Sequence, residues 1–254
     1  MAEAPSSFDP ARTLALLWGA HPKTGRSGLN VKTIVGAAIA VADQEGLNAL
    51  SMRRVAEHLK VGTMSLYTHV SGKPELTELM IDTVYGELYV DADEPARQTG
   101  GWRNALAFVA IRNWDLYHKH PWLLDLPGAR PVLGPNATLK YEAELRPLDG
   151  IGLTDVEMDA VLTLILTHVE GSARIAVNQA RAHQESGMTD TEWWTQSAPL
   201  LEKVMDARRF PTASRVGQAA GEAYGAAFDP QHALHFGLRR IMDGTDALVA
   251  SRSR

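Results

Sequence analysis

Between Asn30 and Val70 the apolar positions fall into three short helical runs separated by tight turns. Behind Asn30, a residue suited to capping, Ile34, Ala38 and Val41 recur at three- and four-residue spacing, and Gly46 stops the run after about Glu45. Ser51 then precedes Met52, Val55, Ala56 and Leu59, an i, i+3, i+4, i+7 set that makes one apolar face. A turn, Lys60-Val61-Gly62, follows. The third run opens at Thr63, read as its N-cap, and keeps only Leu66 and Val70 as an inward pair. That leaves Met64, Ser65, Tyr67, Thr68 and His69 on its outer surface. A free-standing amphipathic helix does not spend a tyrosine, a histidine and hydroxyls on solvent. The second helix of a helix-turn-helix, offered to a major groove, does.

The rest of the chain is helical by the same criteria. Pro74 suits a first helical position and opens a run to about Tyr89; residues 91–101 are a polar, Gly/Pro-marked linker. Trp102 to Lys119 is helical until Pro121, residues 127–136 form a loop, and Asn136 to Asp149 is helical up to Gly150. Thr154-Asp-Val-Glu157 and Thr189-Asp-Thr-Glu192 are capping boxes, opening helices to about Gln184 and about Arg209. Residues 210–228 are Gly/Ala-rich and expected to be loose, and Asp229-Pro230 starts a final helix to about Val249. Residues 1–29, marked by Pro5, Pro10, Pro22 and several glycines, read as a mobile arm. With no strand and no repeat, the expectation is an all-α fold of about nine helices. It divides into an arm (1–29), a helix-turn-helix DNA-binding head (30–75) and a helical bundle for effector binding and dimerisation (76–254).

Charge sharpens this division. The whole chain carries a net −5, which is unexpected for a protein that meets phosphates. Residues 26–73, however, hold six basic and three acidic residues, whereas 74–254 hold 17 basic and 25 acidic. A basic face on an acidic body points to nucleic acid at one end only, with affinity built from a few placed contacts and two copies. The absence of cysteine excludes disulfides and iron–sulfur clusters and fits a reducing cytoplasm. The unbroken apolar runs, such as Leu164-Ile165-Leu166, are too short to span a bilayer, so no membrane partner is expected.

The segment Gly46–Lys73 resembles the signature of the tetracycline-repressor (TetR/AcrR) family. The matching elements are Gly46, Leu50-Ser51, Arg53, Val55-Ala56, Leu59, Val61, Leu66-Tyr67, His69-Val70 and Lys73, within residues 30–85. Lys60 departs from it, standing where the family has a glycine suited to a left-handed helix end. The resemblance implies that Arg53 reaches a guanine, that Tyr67 and His69 contact phosphates, and that Thr63, Met64, Ser65 and Thr68 face bases. Lys73 is expected to clamp a phosphate beside the helix that follows it. The resemblance also implies a homodimer joined by the long helix and the last one, with Leu234, Phe236, Leu238, Ile241 and Leu248 as the apolar face. Ligand in the bundle would then change the spacing of the two heads. Tetracycline itself does not transfer, because no histidine stands in the 123–135 loop and Tyr89 replaces the histidine that ends helix four in those repressors.

Elsewhere the chemistry is sparse. On the long helix Thr163, Thr167, Glu170, Arg174 and Asn178 form a polar stripe, open to two readings: a solvent face, or one wall of an effector pocket. In the second reading Trp114, Tyr117 and His118 form the opposite wall. The pairs His118/His120 and His232/His235 lack any H-E-x-x-H or carboxylate cluster, so no metal, cofactor or catalytic residue is expected. The chain reads as a sequence-specific DNA-binding regulator, a repressor released from double-stranded operator DNA by an unknown small-molecule effector, in the cytoplasm at the nucleoid. The alternatives are control by a protein partner, or a metal-dependent enzyme with a DNA-docking head.

Overall fold

A computed structural model of the 254-residue chain describes residues 9–20, 29–127 and 130–252. Eleven α-helices and no strand occur among them. They fall into two compact units that divide inside the eighth helix, residues 1–163 and 164–254.

The first unit contains α1 (Pro10–Leu17), α2 (Val31–Glu45), α3 (Met52–Leu59), α4 (Thr63–Tyr67), α5 (Lys73–Tyr85), α6 (Trp102–Lys119), α7 (Pro135–Leu145) and the start of α8 (Asp155–Ser186). Asn30 caps α2 by accepting from Thr33 N, and Ser51 caps α3 by accepting from Arg54 N, as their sequence positions predict. Ile34, Ala38, Val41, Val55, Leu66, Val70, Leu76 and Met80 are completely buried and form one core beneath α2–α5. Lys60 ends α3 in the left-handed conformation at φ 57°, ψ 41°, the one non-glycine residue with positive φ among those described. The family's glycine is therefore replaced without a change of turn, at a cost of roughly 1 kcal/mol.

Three expectations are corrected. Residues 10–18 are not part of a mobile arm: Asp9 caps α1, and Thr13, Leu16 and Leu17 are buried. Its apolar residues Leu14, Ala15, Leu16 and Leu17 run together, so no helical spacing stands out there. Residues 211–224, expected to be loose, form α10, because Pro211 opens the helix and alanines sustain it despite two glycines. Thr63 is the first helical residue of α4 and not its cap, a position Gly62 takes without any side-chain hydrogen bond.

Beyond α5 the first unit holds a buried polar network. Glu144, completely buried, accepts from Tyr89 Oη (2.9 Å) and Asn113 Nδ2 (2.7 Å) through one oxygen and from Lys140 Nζ (2.6 Å) through the other. Burial and the neighbouring Glu144 carboxylate push the Tyr89 phenol well above its usual range, so it serves as a donor. Asp82 of α5 receives Ala137 N (2.9 Å) and Asn136 Nδ2 (3.2 Å), satisfying the start of α7 from outside the helix.

The second unit comprises the rest of α8 with α9 (Asp190–Val204), α10 (Pro211–Tyr224) and α11 (Pro230–Arg252). Its buried positions on α8 are Ile165, Val169, Ser172, Ala173 and Val177. The capping box Thr189/Glu192 is formed. His168 Nε2 lies 3.1 Å from Leu234 O, and its ring occupies the space beside Gly237 where a Cβ would sit. The face proposed on α11 splits: Leu234 and Leu238 are buried in the protomer, while Phe236 and Leu248 are exposed. Neither α9 nor α10 has a single buried residue. By length and composition α8 could cross a membrane, although it carries the buried stripe of a core helix.

Candidate nucleic-acid interface

The two helices of the motif are positioned from below by Val55, Ala56, Leu66 and Val70, all at most 2% exposed. What they leave outward is a small mixed surface. On α3 the Arg53 side chain is 85% exposed and its Nε donates to Glu57 Oε1 one helical turn on, at 2.8 Å. A pair that exposed holds its arginine weakly, so the guanidinium is available to a nucleic-acid partner. Arg54, its neighbour, is turned aside to Glu45 at 2.6 Å. On α4 Met64, Ser65 and Thr68 are exposed, Met64 by 76%, while Thr63 and Tyr67 are half-buried. The Thr68 hydroxyl donates to Ser65 O at 2.7 Å. Lys73, at the start of α5, is exposed, and its Nζ donates to Leu47 O at 3.1 Å, across the turn that ends α2.

His69 is the exception. It is 7% exposed, with Nδ1 buried and lacking a hydrogen-bond partner, so its expected place on the outer surface is corrected. The projection that put it outside assumed a helix continuing to Val70. Instead α4 stops at Tyr67, Thr68 caps it, and the turn that follows directs His69 inward.

The residues assigned to an effector pocket do not all turn inward. Trp114 is buried against His118, ring centroids 4.5 Å apart, and His118 Nδ1 lies 2.8 Å from Trp114 O; Tyr117 is half-buried. Thr163 and Thr167, however, are exposed, and Arg174 is paired with Glu170 at 2.6 Å. Thr163 and Thr167 thus lie on a solvent-exposed side of α8, the first of the two readings of its polar stripe. An open crevice of about 170 Å³ exists instead beside α6, lined by Glu87, Leu88, Arg112, Asp115, Leu116 and Lys119. No group of three or more metal-ligating side chains occurs among the described residues.

A tie between the head and α6 escaped the sequence reading. His120, 3% exposed, places Nδ1 2.7 Å from Asp43 Oδ1 of α2 and Nε2 3.1 Å from Glu87 Oε2. The Trp122 indole donates to the same Asp43 oxygen at 2.8 Å, and Lys119 reaches Glu87 at 2.6 Å. Burial pushes the Glu87 carboxyl up, but Lys119 and His120 outweigh it and hold it below the ordinary value. Both histidine contacts are donor–acceptor pairs only when each ring nitrogen carries hydrogen. The partners are 77 and 33 residues from His120, beyond any local pattern.

Comparison with known proteins meets this geometry at both ends. Residues 34–80 match the family described as bacterial regulatory proteins, tetR family, and 94–249 match the tetracyclin repressor-like C-terminal domain. The chain belongs to the tetracycline-repressor family. It is 42% identical over 253 residues to the HTH-type transcriptional repressor DrrR1 of Streptomyces coeruleorubidus, covering 98% of this chain and 90% of that one. It is 24% identical over 224 residues to the class E tetracycline repressor protein of Escherichia coli, covering 86% and 92%. Among solved structures, ActR of Streptomyces coelicolor in complex with actinorhodin superposes with a TM-score of 0.72 at 28% identity, covering 87% of this chain and 97% of that one. ActR has also been solved without ligand and with (S)-DNPA. As a member of the tetracycline-repressor family the chain is a DNA-binding transcriptional regulator, and the α3–α4 surface is the part of it that carries the helix-turn-helix.

Proposed function

We propose that this regulator acts as a homodimeric repressor in the cytoplasm, held on an operator by residues 30–75 and released by a small molecule bound within residues 76–254. The observation that carries the first half is the outward set Arg53, Met64, Ser65 and Thr68 on two helices whose inward residues are fully fixed. Arg53 is assigned a bidentate contact with a guanine, which the guanidinium fork can make, and the short polar side chains of α4 suit base edges. Tyr67 and Lys73 serve as phosphate contacts that set register. The dimer reading is supported by α9 and α10, none of whose residues is fully buried in its own protomer, and by exposed Phe236 and Leu248 on α11. The ligand reading is supported by ActR, whose complexes hold actinorhodin and (S)-DNPA. Binding of an effector moves the equilibrium only through tighter binding to the free state than to the DNA-bound state.

The test is a footprint on DNA beside the chain's own coding region, followed by titration with actinorhodin and (S)-DNPA. Protection of a two-fold symmetric site and its loss on adding either compound supports the proposal. Protection that no small molecule reverses, but that a co-purifying protein does, favours control by a protein partner.

A further inference from the structure

Helix α1 lies outside both regions that match the family, before residue 34, yet it touches each of them. At one end Arg12 Nε donates to Glu75 Oε1 at 3.2 Å, and its Nη2 donates to the carbonyl of His69 at 3.4 Å, just beyond the end of α4. Glu75 is 2% exposed, and its second oxygen accepts Ser71 N at 2.5 Å. A carboxylate buried to that degree is strongly destabilising without a cationic partner, and Arg12 supplies one. At the other end of α1 the Trp18 indole donates to Leu133 O at 2.9 Å, in the stretch leading into α7. Between the two, Leu16 and Leu17 are buried in the same core as Leu66 and Val70, and Thr13 is buried as well. An eight-residue helix is marginal in isolation, so α1 exists because of these attachments.

We propose that α1 is a positioning strap: it fixes the C-terminal end of the recognition helix α4 to the segment before α7, and so sets the angle at which α4 meets DNA. Arg12 is the positioning residue. It acts through Glu75 and the His69 carbonyl and does not touch DNA. Leu66 and Val70 hold α4 from below; the strap adds a second restraint at the end of α4, across the 68–72 turn. The inference rests on the DNA-binding reading of α4.

Three single variants test it: Arg12→Gln, Glu75→Gln and Trp18→Phe. The probe is a duplex selected by the wild-type chain from a random-sequence library, titrated at 25 °C at several salt concentrations. The wild-type titration carries the functional reading and the variant-to-wild-type ratio carries the strap, so the two fail separately. A contact that only stabilises the fold leaves affinity unchanged while nearly all molecules remain folded. The strap instead predicts weaker binding by each variant, by about tenfold, within the range that one misplaced base contact costs. The sign for Glu75→Gln is diagnostic, because removing a negative charge near DNA would by itself tighten binding. The salt dependence of Arg12→Gln should match wild type, whereas loss of a direct phosphate contact makes the log–log slope shallower by about 0.9 per head. Unchanged affinity in Arg12→Gln and Trp18→Phe overturns the proposal, and so does a shallower slope for Arg12→Gln. Trp18→Phe keeps most of the ring and all of the charge, so it remains informative if the Glu75 variant does not fold.

Discussion

Replacing Asp43 by alanine isolates the tie between the DNA-binding head and α6. One oxygen of Asp43 accepts both His120 Nδ1 at 2.7 Å and Trp122 Nε1 at 2.8 Å. His120 is 3% exposed and Trp122 1%, so each loses a partner for a buried donor. A buried donor left unpaired costs about 1–3 kcal/mol, which puts the variant about 2–6 kcal/mol below wild type. Against a total stability of about 5–15 kcal/mol that is a large fraction. The assay is urea unfolding followed by tryptophan fluorescence, at one fixed protein concentration because an oligomer's stability depends on it. The midpoint should fall while the slope with denaturant stays constant, since the surface exposed on unfolding is nearly the same. Asp43→Asn keeps an acceptor oxygen and should lose less. Asp91→Ala, which breaks an exposed pair with Arg97, is the control and should cost about 1 kcal/mol or less. If Asp43→Ala costs no more than Asp91→Ala, the tie contributes nothing and the reasoning from unpaired donors is wrong.

Four further outcomes are expected. Arg53→Ala should lose discrimination at one guanine-containing position, by about 1–3 kcal/mol, whereas Tyr67→Phe should lose affinity evenly across operator sequences; equal loss of discrimination in binding assays would refute the division of roles. Lys73→Ala should make the salt slope of operator binding shallower by about 0.9 per head, and an unchanged slope removes Lys73 from the phosphate contacts. Gly134→Ala should destabilise the first unit by about 1–3 kcal/mol, because the added Cβ would lie 2.1 Å from Asp82 Oδ1, and the same substitution should cost much less in an Asp82→Ala background in thermal melts.

The fourth outcome concerns acid titration. The Glu87 carboxyl is held low by Lys119 and His120 against burial, so its contribution is present above its unfolded value and lost as pH falls through the lowered one. The Asp82 carboxyl is raised by burial against the Ala137 and Asn136 donors, so its contribution is present at low pH and lost as pH rises through the raised value. The stability gap between wild type and Glu87→Gln should therefore shrink on acidification from neutral pH, while that between wild type and Asp82→Asn should move in wild type's favour. Parallel pH profiles for the two variants would contradict both assignments.

Helices whose signals are local were legible in the sequence. Asn30, Ser51 and Thr189 cap as their positions dictate, and the buried faces of α2, α3 and α8 follow the 3.6-residue period. What eluded the sequence depends on chain reversal or on distance. His69 turned inward because α4 is five residues long, a boundary no periodicity could fix over one turn. The polar stripe of α8 could equally have been an inner or an outer face, since spacing assigns residues to sides but not sides to surroundings. The apolar set on α11 mixed two faces, Leu234 and Leu238 on one, Phe236 and Leu248 on another. Arg12 with Glu75 and Asp43 with His120 join residues 63 and 77 positions apart, each unremarkable in its own segment.

Helices α9 and α10 meet closely at Gly221, where the Trp194 ring fills the site a Cβ would take, yet neither has a buried residue, and Trp193, Leu200, Leu201 and Val204 stand exposed. Segments with so little burial open at almost no free-energy cost, and an opened segment is what a protease cuts. In a protomer on its own, residues 190–224 should therefore be the first segment cut in limited proteolysis, and association that covers them should slow the cutting.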